Sequence, residues 1–438
     1  MHALIENAKG SVDQAELYWR EGHAISVLYQ NCRLQQVEEN DLSSVALRVI
    51  EDGRLGSTFG VFPSDSGLLE GARAAARFGD PATFSFAPAA SYPDVRIYDE
   101  RTAHLTSQEL IDLCEEIRGR IQKELPDVPL IIRCQAETSK LLVESTEGAE
   151  GELRTTDFGL GFGAPFRGVG TALIKGQRSI SPFEADESLV DEFVEWYRWG
   201  DKTSTPPTGR LPVILAPEAA FLVLLPLLMG VSGDLVSKKT SPLVDRIDQP
   251  ILSEKITVID DALRDGEPNA RPFDDEGVPC TTHTIVEKGV LKDYIVDLNS
   301  GAALGRPSNG HGFKTALFGG GTETSPTPWF ANPIIEAGDE NWRDLVAGLK
   351  EGLLITSGMG FHSGNYPQGQ FAVQAVGFHI VNGEVIGRLD KTMISGDIYE
   401  DLRNVRAVSR EQRRGVAGLL SAGAAPYVLV DSLQVAGK

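Results

Sequence analysis

Seven histidines and four cysteines are the residues of this 438-residue chain best able to bind a metal or act as a nucleophile. Their spacing decides what they could do. A zinc hydrolase sets two histidines on one helix face with a glutamate beside the first. No two of His2, His23, His104, His283, His311, His362 and His379 stand four apart with a glutamate following the first. Cys32, Cys114, Cys134 and Cys280 are scattered and form no CxxC pair, which excludes a zinc knuckle and a dithiol redox motif. His311 (SNGHGF) and His362 (GMGFHSG) lie in glycine-rich stretches, where functional side chains often sit. A loop histidine held by a structural hydrogen bond is the plainer reading of both. His379, between Phe378 and Ile380, reads as one face of a strand. Asp274-Asp275-Glu276, followed by Gly277, lacks the spaced oxygen ligands of a calcium loop and reads as a charged turn before a strand, as does Asp260-Asp261. No G-x-S-x-G elbow occurs. Gly159, Gly161 and Gly163 alternate with Leu160 and Phe162, a strand period, and no Lys-Ser/Thr pair follows, so a phosphate loop is not expected.

The element that would mount a catalytic group is equally bare. Leu211 to Asp234 (LPVILAPEAAFLVLLPLLMGVSGD) is the longest apolar passage in the chain. Leu211 to Leu215 reads as a strand, and about 217–231 as a buried helix with Pro217 in its first turn. Its most apolar part, Ala219 to Val231, is 13 residues, short of the roughly 20 that span a membrane. Between Pro217 and Val231 the only ionisable residue is Glu218.

The remaining elements frame this helix. Residues 1 to about 65 read as strands, with a turn at Glu51-Asp52-Gly53. Gly67 to Phe78 reads as an alanine-rich helix. Thr106 to Leu125 carries a Thr106–Glu109 capping box and an apolar stripe of Leu110, Leu113, Cys114, Ile117 and Ile121, stopped by Pro126. Leu130 to Glu137 and Lys140 to Thr146 read as two strands, and Ser188 to Trp199 as a helix. The polar, proline-containing Asp201 to Arg210 reads as the boundary between domains 1–205 and 206–438. In the second half, Lys255 to Ile259, Thr281 to Glu287, Gly289 to Lys292 and Asp293 to Leu298 read as strands. Asn341 to Lys350 reads as a helix capped by Asp339. Phe371 to Ile380 and Val385 to Leu389 pair across Asn382-Gly383, a hairpin turn signal.

Composition narrows the function classes. The 41% hydrophobic and 24% charged fractions are those of a globular protein. A formal net charge of −21 argues against nucleic acid as partner, and the basic trio Arg410, Arg413 and Arg414 reads as a solvated turn. Reduced thiols in a cytoplasmic protein fit the scattered cysteines. The N-terminal MHALIENAKGSVDQAELYW shows no secretory pattern, and no membrane span is expected.

Several segments carry a family resemblance. Pro272 to Pro279 (PFDDEGVP) is similar to the signature of the TldD/TldE (PmbA) family, the "modulator of DNA gyrase" peptidases. Gly230 to Asp234, Lys255 to Pro279, Gly289 to Gly305, Asn382 to Glu384, Ile394 to Val408 and Val430 to Gly437 follow the family pattern in order. The resemblance implies an α+β, two-domain TldD/PmbA-like fold, with a mixed α/β N-terminal domain and a mainly β C-terminal domain. In the family, TldD subunits carry HExxxH on the central helix and a cysteine near the C-terminus, which bind a zinc ion that activates water. Counting back from Gly233-Asp234, those motif positions fall on Leu224, Leu225 and Met229, and no cysteine follows Cys280. The chain therefore resembles TldE, the subunit without the metal motif. The resemblance implies no catalytic residue and no metal in this chain, zinc in a TldD-type partner, and a heterodimer with that partner or a homodimer. It implies unfolded or leader peptides as ligands, and His362 and Tyr366 are candidates for the peptide groove. Gly358 to Gly369 is only loosely similar to the family's loop there.

Overall fold

The computed structural model describes residues 2–437 apart from 62–66, 167–170, 183–186, 318, 361–362 and 415–422. Two sheets organise it. The first has the order β3-β2-β1-β4-β5-β6, with β1 Gln14–Gln30, β2 Arg33–Glu51, β3 Arg54–Gly60, β4 Ile131–Ser145, β5 Glu150–Pro165 and β6 Ala172–Ser179. A short helix α1, His2–Ala8, precedes it, where strands alone are expected. Helix α2, Leu68–Ala76, packs on one face with α1, and α3, Glu100–Ala103, follows. Helix α4, Ser107–Glu124, and helix α5, Glu187–Trp199, cover the same face further along the strands, over Ile25, Val27 and Tyr29, while Tyr18, Leu141 and Val143 line the opposite face. The α4 capping box forms in both directions, and Leu110, Cys114, Ile117 and Ile121 are its buried stripe.

Strand β4 is one element, not two. Thr138 and Ser139 keep the register opposite His23 and Gly22 of β1, so the ladder overrides their weak local preference. The glycines of β5 are extended, as their alternation predicts. Gly163 is required by close approach: a Cβ there would lie 2.6 Å from the Leu173 carbonyl oxygen of β6.

The second sheet has twelve strands. They begin with β7 Thr203–Ser204, β8 Gly209–Leu215, β9 Val258–Asp261, β10 Thr282–Glu287 and β11 Val290–Leu291. Four two-residue strands, β12 Gly312–Phe313, β13 Thr315–Ala316, β14 Gly319–Gly320 and β15 Thr327–Pro328, form separate small ladders. The sheet resumes with β16 Pro333–Ile335, β17 Glu351–Met359, β18 Gln370–Val381, β19 Glu384–Leu389, β20 Met393–Asp397, β21 Val405–Arg414 and β22 Ala424–Ala436. Strands β22, β8, β17, β18 and β20 pair in a closed ring, β20 returning to β22. The hairpin turn at Asn382-Gly383 has both residues at positive φ, 50° and 80°.

Four local expectations are corrected. The strand expected at 255–259 lies at Val258–Asp261, because its register is set by Pro333–Ile335. Residues 293–297 form no strand; Asp297 instead caps helix α8, Leu298–Ala303, accepting from the Ser300 N–H. Helix α9, Trp342–Ala347, is capped by Asn341, not Asp339. Arg410, Arg413 and Arg414 lie on β21, where Arg413 pairs with Glu192 and Arg414 with Glu267 at 3.1 Å, so they are not a solvated turn. Among the described residues no helix is long and apolar enough to cross a membrane.

Candidate functional site

The central helix is α6, Phe221–Val231, entered through a 3₁₀ turn at Pro217–Ala219. Seven leucines and valines in eleven residues leave it no polar face, and every helix residue but Met229 is buried. Leu224 and Leu225 retain 4% and 0% of their exposure, and half-buried Met229 packs on the same core cluster. That cluster includes ring residues Val213, Ile355, Val373, Ile394 and Leu433. Gly230 is fixed by contact: a Cβ there would sit 1.9 Å from the Tyr399 hydroxyl, which itself reaches the Pro226 carbonyl at 3.4 Å. Helix α7, Gly233–Ser237, follows directly.

No atom at Leu224, Leu225 or Met229 can serve as a hydrolytic zinc ligand, and the positions do not fit the ion. Among the described residues no group of three or more His, Cys, Asp and Glu is arranged to hold a metal. Tyr366 sits in a 3₁₀ turn, Tyr366–Gln368, and is buried in the α6 cluster. Its hydroxyl has no hydrogen-bond partner among the described residues, and burial pushes its pKa up to about 12. His362 lies outside the described residues.

The one ionisable group at the helix entrance is anchored. Glu218 accepts from Lys175 Nζ at 2.7 Å, and Glu192 of α5 accepts from the same nitrogen at 2.6 Å. Lys175 Nζ also stands 3.4 Å from the Trp196 ring centre. Lys175 is wholly buried, and burial outweighs the carboxylates, lowering its pKa to about 8. This network ties β6 and α5 of the first half to the start of α6. Sequence reasoning missed Lys175, although its place two residues after Leu173 put it on the buried face of β6.

A second buried network joins the sheets. Asp274-Asp275-Glu276 does form a turn, bridged by Phe273 and Pro279, but its carboxylates are buried. Asp274 accepts N–H bonds from Glu276, Val278 and Gly312. Asp275 accepts from the Lys314 N–H at 2.7 Å and from Arg271 at 2.8 Å. Glu276 accepts from the Leu298 N–H at 2.8 Å and from Arg48 of β2 at 2.9 Å. Arg48 also makes two bonds to Glu16 of β1. Phe273 packs against the first sheet beside Tyr92, ring centres 4.6 Å apart. The PFDDEGVP segment is thus a clamp between the two sheets. Asp260, likewise buried, accepts from the Ala331 and Asn332 N–H groups and meets His311 Nε2 at 3.1 Å. His311 Nδ1 faces Asn309, so this histidine is held on both nitrogens.

Burial raises the Glu276 pKa to about 7 despite Arg48, and raises Asp274 in the same direction. A carboxyl whose folded pKa lies above its unfolded 4.5 gives stability that is complete below pH 4.5 and lost as pH rises through about 7. Unfolding stability is therefore expected to fall between pH 5 and pH 8, by up to about 3 kcal/mol from Glu276. Glu276→Gln should flatten that fall. Urea titrations at pH 5, 6.5 and 8 measure it, and an unchanged slope in the variant would contradict the assignment.

Comparison with known proteins gives the same pattern. Residues 208–437 match the family model described as PmbA/TldA metallopeptidase C-terminal domain, and residues 15–77 match PmbA/TldA metallopeptidase domain 1. A "Metalloprotease" of Methanothermobacter thermautotrophicus is 24% identical over 457 aligned positions, covering 99% of this chain and 98% of that protein. The crystal structure of TldE from Thermococcus kodakarensis superposes with a TM-score of 0.89 at 21% identity, covering all of both chains. A putative modulator of DNA gyrase from Thermotoga maritima superposes with a TM-score of 0.84 at 23% identity, covering 99% of each. At these identities the solved structures establish the fold alone.

Proposed function

The chain belongs to the PmbA/TldD metallopeptidase family, and from that membership we propose that it is a TldE-like, non-catalytic subunit of a zinc peptidase. It helps to form the chamber in which unfolded or leader peptides reach a zinc ion held by a TldD-type partner. One observation supports the reading: Leu224, Leu225 and Met229, on which the family's zinc motif falls when counted back from Gly233-Asp234, are residues of α6 that pack into the core. An apolar helix face needs no buried charge to be compensated, so loss of the motif leaves a well-packed core. The Lys175–Glu218 anchor and the Arg48–Glu276 clamp support a scaffold role, since they hold α6 and both sheets in register. Native mass spectrometry of the chain, alone and co-expressed with an HExxxH-bearing homologue, tests the proposal.

A further inference from the structure

Strand β3 covers the outer edge of β2 only along Val45–Glu51. Along Arg33–Ser44 no described residue forms a ladder or backbone bond with that edge. All ten residues Arg33–Leu42 are exposed, on both faces of the sheet. At about 3.4 Å per residue, the bare stretch is about 34 Å long.

The neighbouring strand is covered where no described residue pairs with the outer edge of β2. Ile25, Val27 and Tyr29 of β1 are buried in the α4 cluster. Leu34 and Val37 lie opposite Tyr29 and Val27 and carry that apolar face outward, exposed at 46% and 41%. Leu42, opposite Gly22, is exposed at 47%.

Bare edges invite pairing, and proteins guard them with lysine, proline or bulges. A register shift at Gln35 interrupts one end of this edge. From Gln36 to Ser44 the register is regular, with no lysine and no proline. Its charges are Glu38, Glu39 and Asp41, all exposed.

These charges select the occupant. Two copies meeting along this edge about a two-fold axis would bring like carboxylates together, which is destabilising. Both copies also carry a net charge of −21. A single extended peptide would satisfy the edge but leave Leu34, Val37 and Leu42 bare. We infer that Arg33–Ser44 docks a different protein subunit that presents a Lys/Arg-rich strand or loop. This rests on the two-subunit reading above and names the surface that reading uses.

The test is Glu38→Lys/Glu39→Lys, assayed for binding to the HExxxH-bearing homologue by sedimentation. Both side chains are exposed, so the thermal midpoint should match the parent and folding should not confound the result. Affinity is expected to fall about tenfold or more, and the parent complex to weaken with added salt more than the variant's. A second variant, Val37→Asp, should also weaken binding. A variant that binds as tightly as the parent overturns this surface and leaves the subunit reading intact. A parent chain that ignores the homologue and dimerises with itself overturns both.

Discussion

Leu225→Glu is expected to destabilise the chain by on the order of 5 kcal/mol or more, enough to unfold most of it. Leu225 is completely buried within the largest apolar cluster. Removing a buried leucine costs roughly 2–5 kcal/mol. The introduced carboxyl must then stay protonated or sit uncompensated, and a shift of roughly three pKa units adds about 4 kcal/mol. Met229→His is the control: Met229 is half-buried, and its loss should be under about 2 kcal/mol. Urea unfolding followed by circular dichroism measures both. A Leu225→Glu protein within about 1 kcal/mol of the parent would mean that α6 still faces a polar cavity, contrary to the packing described above.

Arg48→Ala is expected to cost about 3–5 kcal/mol. The guanidinium is 6% exposed and makes three bonds to two carboxylates that are each 1% exposed. Without it Glu16 and Glu276 face each other as uncompensated buried acids. Arg48 also holds β2 to the PFDDEGVP turn, so its loss loosens the contact between the sheets. Arg48→Met combined with Glu16→Gln and Glu276→Gln removes the charges together and should recover most of the loss, since the penalty belongs to the unpaired carboxylates. Denaturant titration of the single and triple variants decides this. A single variant with no measurable loss, or a triple variant as unstable as the single, would contradict the clamp.

How much of this was readable from the sequence depends on the range of the signals. The α4 capping box, the Asn382-Gly383 turn and the buried α6 are specified within a few residues, and all three form as expected. Where local preference was weak, distant pairing decided: Thr138 and Ser139 look like a break, but the ladder to β1 carries the strand through them. The chain's acidic runs misled for a different reason. Asp274-Asp275-Glu276 resembles a surface turn because only Arg271, which meets Asp275, stands close in sequence, and the cation that meets Glu276 arrives from Arg48, 228 residues away. Lys175 meets Glu192 and Glu218 across 17 and 43 residues. Buried ion networks of this kind leave only a faint trace, a charge at a strand position whose period faces inward. His311 shows the converse: in its glycine-rich stretch it reads as a loop histidine held by a structural hydrogen bond, and Asp260 and Asn309 hold it so.

The most direct measurement is the zinc content of this chain, by native mass spectrometry, alone and co-expressed with an HExxxH-bearing homologue from the same genome. The account predicts a one-to-one complex with zinc carried only by the homologue, and no zinc retained by this chain alone. Tightly held zinc in the isolated chain would contradict it, because Leu224, Leu225 and Met229 would then not be the residues that replaced the metal site.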